Sequence, residues 1–180
     1  MKEKDLEIAI FANGCFWCTE AIFQRLRGVV SVEPGYIGGF VANPSYKDVS
    51  SGSTNHAEAL RILFDPNVIS YDQLLEVFFA THDPTSLNRQ GADVGTQYRS
   101  EIFYTSLLQK QMASFFVNEF NLENIFDKPV VTKVSEATEF WKAEDYHKNY
   151  YDNNTTQDYC NYVITPKVLK FEKFFEEMIK

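Results

Sequence analysis

The sequence predicts an α+β sandwich, with helices packed on a mixed sheet. Three observations carry this. Apolar residues recur every second residue in some stretches and every third to fourth in others. The stretches alternate in the order β-α-β, β-α-β and then α-β-α, which is the order of a layered α/β or α+β domain. The chain has 180 residues, the size of one ordinary domain, so residues 1–180 are expected to form one unit around one core.

The first strand is Leu6-Glu7-Ile8-Ala9-Ile10-Phe11-Ala12, whose alternation puts Leu6, Ile8 and Ile10 on one side. Asn13-Gly14 ends it. Over residues 15–26, Cys15, Cys18, Ile22 and Leu26 fall at helical spacing, and Gly28 is placed to close that helix. Residues 29–32 read as a short strand. Residues 35–55 are rich in Gly, Ser, Asn and Pro and read as a long loop, and loops of that length inside a domain are usually functional. Residues 58–64 form the next strand.

Ser70 followed by Gln73 makes a capping box. The helix it opens has an apolar face of Tyr71, Leu74, Leu75 and Phe78. Residues 83–95 are a second polar loop. A strand at 102–104, a helix at 107–120, a strand at 130–134 and a short helix at 143–151 follow. Residues 153–158 are a polar turn before Cys160. Thr165-Pro166 has the form of a helix start, a cap followed by Pro at the first helical position. Val168, Phe171, Phe174 or Phe175, and Met178 supply the buried face of that last helix.

Composition excludes several classes. Hydrophobic residues at 44% and charged residues at 23% are ordinary for a globular protein, and 16 Phe and 10 Tyr argue against disorder. Lys and Arg number 17 against 25 acids, a net charge of −8. That balance speaks against a general binder of nucleic acid or anionic membranes. No apolar run approaches the roughly 18 residues of a membrane span. The start, Met1-Lys2-Glu3-Lys4-Asp5, is mixed in charge and unlike a signal-peptide core. The expected location is the cytoplasm.

Three cysteines, Cys15, Cys18 and Cys160, do not make a secreted disulfide framework. Cys15-Phe16-Trp17-Cys18 is a Cys-x-x-Cys, which is redox-active, metal-binding or accidental. Cys15 stands where a strand ends and a helix begins. Unpaired N–H groups and partial positive charge at a helix N-terminus favour a thiolate, so its pKa is expected below about 8.5. The alternative is a packed, inert cysteine. Cys18 lies one turn on, on the same face, as the second half of a dithiol or of a zinc site. Zinc needs two further ligands, for which Cys160 and His147 are the candidates.

Glu58 shares strand parity with Leu60, Ile62 and Phe64, so it is expected to point inward. A buried carboxyl holds its proton to higher pH and can serve as a general acid. The alternative is a strand-end carboxylate that reaches water. Tyr36, Tyr46, Asp93 and Tyr98 lie in or beside the two long loops, where phenol hydroxyls can donate to an oxygen while their rings line a pocket. Singly, each is an ordinary surface residue. His56, His82 and His147 are isolated and read as structural. Phe16 and Trp17 belong either to the core or to the wall of an apolar subsite.

Gly14-Cys15-Phe16-Trp17 resembles the active-site signature of the type A peptide methionine sulfoxide reductases. Further segments resemble that family in the same order. They are Gly35-Tyr36-Ile37-Gly38-Gly39, Asn43-Pro44-Ser45-Tyr46, His56-Ala57-Glu58, His82-Asp83-Pro84-Thr85, Arg89-Gln90-Gly91-Ala92-Asp93, Gly95-Thr96-Gln97-Tyr98-Arg99-Ser100 and Ala143-Glu144-Asp145-Tyr146-His147. Together they span about residues 8 to 165.

The resemblance implies a single catalytic domain with a two-layer α/β sandwich fold, a ferredoxin-like (α/β plait) core and long loops. It implies a thiol enzyme that reduces the S epimer of methionine sulfoxide, free or in proteins, and so repairs oxidative damage. Cys15 matches the nucleophile. Glu58, Tyr46 and Tyr98 match the groups around the sulfoxide oxygen, and Asp93 a further polar residue of the site. Phe16 and Trp17 match the walls that hold the substrate methyl. The chemistry fits those residue types, because a thiolate attacks the positive sulfur while donors take up the charge growing on oxygen. The sulfenic acid left on Cys15 is then resolved to a disulfide by a second thiol, and thioredoxin regenerates the dithiol. No metal, flavin or nicotinamide is implied.

Two departures from the family's commonest pattern bear on resolution. Position 18 is Cys where many relatives have Gly, and the chain ends in an amphipathic helix instead of a glycine-rich tail with two cysteines. Cys160 resembles the distal resolving position and is favoured over Cys18, because a disulfide within one helical turn is awkward. A thioredoxin-like dithiol oxidoreductase using Cys15 and Cys18, a zinc-stabilised binding module and a structural protein without activity are the competing readings.

Overall fold

The computed structural model describes residues 5–180. The first four residues of the mixed-charge start lie outside the described residues. In chain order the elements are β1 (Glu7–Asn13), α1 (Phe16–Phe23), β2 (Val29–Ile37), α2 (Tyr46–Ser50), β3 (Ala57–Phe64) and α3 (Tyr71–Ala80). A small hairpin, β4 (Arg89–Gln90) and β5 (Asp93–Val94), follows. Then come β6 (Ser100–Tyr104), α4 (Leu107–Leu122), β7 (Lys133–Glu136), β8 (Trp141–Lys142), α5 (Tyr150–Asn153) and α6 (Thr165–Phe174).

The six-stranded sheet has the order β7-β6-β1-β3-β2-β8. Its pairs are antiparallel except β6 with β7. The four central strands, with α1 and α3 as crossings, reproduce the expected ferredoxin-like β-α-β-β-α-β core.

The register places alternate residues on two faces. Ala9 and Phe11 of β1, Leu60, Ile62 and Phe64 of β3, and Ile102 of β6 pack beneath the helices, against Ile22, Phe23, Leu74, Leu75, Phe78 and Phe171. Phe11 is a hub, with ring centroids 5.5 Å from Phe23 and 5.0 Å from Phe78. Ile10, Ala12, Ala57, Ala59 and Phe103 form a smaller cluster on the opposite face. The side of β1 that carries Ile8 and Ile10 faces away from the helices. Ile10 lies opposite the helices and Ile8 is 39% exposed. Both faces of the strand's second half are covered, so polarity does not mark the main core there.

The capping box at Ser70 and Gln73 is present with both of its bonds. Other boundaries moved. The strand at 29–32 continues to Ile37, so the loop expected from residue 35 begins as strand and later contains α2, with its own Ser45–Asp48 capping box. Gly35 looks like a breaker in sequence. A Cβ there would lie 2.4 Å from the Phe140 ring and 2.5 Å from the Trp141 carbonyl. Glycine is thus what lets β8 approach β2.

The strand at 130–134 shifts to β7. The helix at 143–151 is instead a short 3-10 turn at Asp145–His147 and the four residues of α5, separated by Asn149 at φ 55. The α1 helix ends earlier than expected, at Phe23. Thr165 does not cap α6, because a π-helical turn at Cys160–Ile164 runs straight into that helix, and the Thr165 hydroxyl bonds back to the Cys160 carbonyl at 3.0 Å. Phe175, not Phe174, packs on the core, and Phe174 is 67% exposed.

Candidate active site

Strand β1 stops at Gly14, whose φ of 107 suits glycine and where a Cβ would meet the Gln90 side chain at 2.8 Å. The chain turns there, and Cys15 becomes the N-cap of α1 with extended backbone. The Cys15 carbonyl accepts the Cys18 N–H at 3.1 Å. A helix start leaves several N–H groups without helical partners. The first of them, on Phe16, donates to Glu58 Oε1 at 3.1 Å.

Glu58 is 2% exposed and sits across from Tyr36 in the β2–β3 register. Burial pushes its carboxyl up to about 8, the Phe16 N–H pulls it down, and the charges of Asp93 and Cys18 push it up further. The inward parity expected of Glu58 is thus the observed one, and the group is neutral at pH 7 in the resting site.

The thiols depart from expectation. Burial pushes Cys15 well above the ordinary thiol value, and its hydrogen bond to the Cys18 sulfur acts in the same direction. Cys18 is lowered, first by that bond and also by the Lys167 charge. The N–H at Trp17 favours a Cys15 thiolate, as a helix start should, but desolvation outweighs it. The expected depressed Cys15 is therefore corrected. The two thiols interact closely enough to titrate as a pair.

Phenols surround the pair. Burial and the Glu58 charge raise Tyr46 to about 12, so it remains a donor at neutral pH. Tyr98 is raised by burial and by Glu58, Tyr46, Asp93 and Cys15, which places it on the same site. Asp93 accepts the Tyr159 hydroxyl at 2.7 Å. Tyr159 also reaches the Cys18 sulfur.

The Phe16 ring is fully buried against Tyr36 and Tyr46 at 5.7 and 6.5 Å. Trp17 is less buried. It stacks on Tyr150 at 3.8 Å, meets Tyr159 edge-on at 5.9 Å and donates its indole N–H to His147 Nδ1 at 3.0 Å. Cys15, Cys18 and Cys160 share one buried cluster with Ala21, Tyr151, Ile164 and Val168. Cys160 is 0% exposed, and its thiol donates to Gln157 Oε1 at 3.6 Å. Among the described residues, no three His, Cys, Asp or Glu side chains converge to hold a metal ion.

The family model for peptide methionine sulfoxide reductase matches residues 7–179. The chain belongs to the peptide methionine sulfoxide reductase family. A relative from Deinococcus radiodurans, peptide methionine sulfoxide reductase MsrA, is 57% identical over 97% of this chain and 84% of its own. The crystal structure of Mxr1 from Saccharomyces cerevisiae in reduced form superposes with a TM-score of 0.80 at 32% identity, covering 86% of this chain and 89% of that one. The complex of that yeast protein with Trx2 matches at TM-score 0.57 and 21% identity, over 81% and 84% of the two chains, a likeness of fold.

In this methionine sulfoxide reductase, Cys15, Glu58, Tyr46, Tyr98, Asp93, Phe16 and Trp17 come together around the start of α1. Tyr36 contributes its ring, but its hydroxyl goes to Glu144 at 2.9 Å. The other Glu144 oxygen accepts the Tyr46 N–H at 3.0 Å, which ties α2 to the segment before His147. His56 and His82 are structural as expected. The His56 ring bonds Gly39 and Val41 backbone groups, and the His82 ring bonds the Phe78 carbonyl and Ser100. Sequence reasoning did not find Tyr150, Tyr159 or Glu144 as parts of the site, nor the contact of His147 with Trp17. The available signals were adjacency to Cys160 for Tyr159 and the family-like segment Ala143-Glu144-Asp145-Tyr146-His147 for Glu144 and His147.

Proposed function

We propose that residues 1–180 are a single catalytic domain that reduces the S epimer of methionine sulfoxide, free or in proteins, with Cys15 as nucleophile. The observation that carries this reading is the buried Glu58 carboxyl that accepts the N–H of the residue after Cys15, where burial favours its protonated form. A nucleophile and a proton donor thereby share one water-poor site with phenols raised above their ordinary range.

Cys15 reacts as its thiolate, and its sulfur attacks the sulfoxide sulfur. Glu58 gives its proton to the sulfoxide oxygen, where Tyr46 and Tyr98 donate hydrogen bonds. The S–O bond of the substrate breaks as the hydroxyl passes to the Cys15 sulfur. Methionine leaves, and Cys15 holds a sulfenic acid. Phe16 and Trp17 wall the substrate methyl, and Asp93 fixes the polar side through Tyr159.

A second thiol then attacks Cys15, releasing water and forming a disulfide. Cys160, in the same buried cluster, is the proposed resolving thiol. The Cys15–Cys18 hydrogen bond favours Cys18 as a second reading, since Cys15 stands outside the helix and so relaxes the objection to a bond within one helical turn. Thioredoxin or a similar dithiol reduces that disulfide by exchange, in keeping with the Mxr1–Trx2 pairing. The proposed setting is repair of oxidised methionine in the cytoplasm. No helix among the described residues is long and apolar enough to cross a membrane.

The test is turnover of each epimer of a methionine sulfoxide peptide with dithiothreitol and with thioredoxin. Reduction of the S epimer by both reductants supports the reading. Reduction of disulfides alone would favour the dithiol oxidoreductase.

A further inference from the structure

The indole N–H of Trp17 can only donate. Its partner, Nδ1 of His147 at 3.0 Å, must therefore present a lone pair. The neutral ring then carries its proton on Nε2, and that nitrogen is buried with no hydrogen-bond partner among the described residues. An unpaired buried N–H is destabilising, because it gives up its hydrogen bond to water and gains none in the fold. The ring is 0% exposed. Its centroid lies 4.5 Å from Tyr46, 5.0 Å from Phe16 and 5.8 Å from Trp17. One imidazole thus touches the three rings proposed to hold or activate the substrate. An apolar side chain would fill that space without the orphaned N–H, so packing alone does not account for a histidine.

We propose that His147 is a positioning residue, whose Nδ1 lone pair fixes the Trp17 indole as the wall of the methyl subsite and releases it when the ring takes a second proton. This rests on the role given to Trp17 above. A proton on Nδ1 would point at the indole N–H, so His147 cannot be protonated without breaking the bond. Burial lowers its pKa, and the Glu144 carboxylate acts in the opposite direction. The other titratable groups facing it are the phenols of Tyr46 on α2 and of Tyr146 beside it, and α1 presents the rings of Phe16 and Trp17. The release therefore falls below the usual histidine range of about 6.5.

The experiment compares wild type, His147→Asn and His147→Leu, each in a Trp141→Phe background so that Trp17 is the sole tryptophan. Asn keeps an acceptor near the Nδ1 position and does not titrate. Leu removes the acceptor. Steady-state reduction of a sulfoxide peptide and Trp17 emission are both followed against pH. The expected result for His147→Leu is a KM about tenfold higher, with kcat within about threefold of wild type, and altered Trp17 emission at all pH values. For His147→Asn it is a KM near wild type and emission that is flat with pH. Wild type should show an acid-side rise in KM together with an emission change. Equal losses in Asn and Leu, or an acid transition that persists in Asn, would overturn the proposal. An emission change in Leu without a KM change would leave the hydrogen bond real but remove Trp17 as the substrate wall, which overturns this inference, whereas the functional reading falls only if the wild type fails to reduce the sulfoxide peptide.

Discussion

Glu58 accepts the backbone N–H of Phe16 at 3.1 Å, which joins the beginning of β3 to the first turn of α1 directly behind Cys15. The bond spans 42 residues of sequence. It also bears on the balance of charge there, since burial and the charges of Asp93 and Cys18 push the carboxyl up to about 8 against the pull of this N–H.

Replacing the nucleophile should remove the reaction and leave the fold. In Cys15→Ser the hydroxyl is far less nucleophilic, and the N-cap position tolerates Ser well. The expected outcome is no detectable sulfoxide reduction and an unchanged far-UV circular dichroism spectrum. Wild-type turnover in that variant would remove Cys15 from the mechanism.

Recycling separates the other two thiols. With dithiothreitol, Cys160→Ser should keep much of its activity, because a small thiol can reduce the sulfenic acid directly. With thioredoxin it should lose most of it. The opposite assignment, loss with thioredoxin in Cys18→Ser and not in Cys160→Ser, would transfer resolution to Cys18. Mass spectrometry of the trapped disulfide gives the pairing independently.

Glu20 gives a stability test away from the chemistry. It is buried on α1, and burial pushes it up to about 7, against the pull of the Asn149 and Tyr150 N–H groups. A carboxyl raised on folding binds its proton more tightly in the native state, so its contribution is present at low pH and lost as pH rises to about 7. Thermal midpoints of wild type and Glu20→Gln, measured from pH 5 to 8.5, should show the wild type losing ground to the variant up to about pH 7. Above that the difference should hold constant. A difference that does not change with pH would mean that Glu20 ionises normally.

What was legible in the sequence was local. Ser70 and Gln73 are three residues apart, and their capping box formed as expected. The inward direction of Glu58 followed from its parity with Leu60 and Ile62. What failed depended on distant partners. Gly35 reads as a breaker until Phe140 and Trp141 lie against it. The pull of the helix start on Cys15 was foreseeable, whereas the desolvation that overrides it is a product of the whole cluster. Trp17 and His147 stand 130 residues apart, and nothing in their spacing announces a hydrogen bond. The resemblance supplied the roles that geometry alone left open at Tyr46, Tyr98 and Asp93.

The central claim is that Glu58 delivers the proton to the sulfoxide oxygen, and single-turnover formation of the Cys15 sulfenic acid against pH tests it most directly. Glu58→Ala should slow that step about 10²-fold or more, as loss of a general acid does. In wild type the rate should fall as pH rises past about 8, where Glu58 loses its proton. Glu58→Gln keeps a hydrogen-bond donor but has no proton to give, so it should lose less than Ala and show a flattened alkaline limb. Equal rates and equal pH profiles for wild type and Glu58→Ala would contradict the account and leave Glu58 as a structural acceptor for the Phe16 N–H.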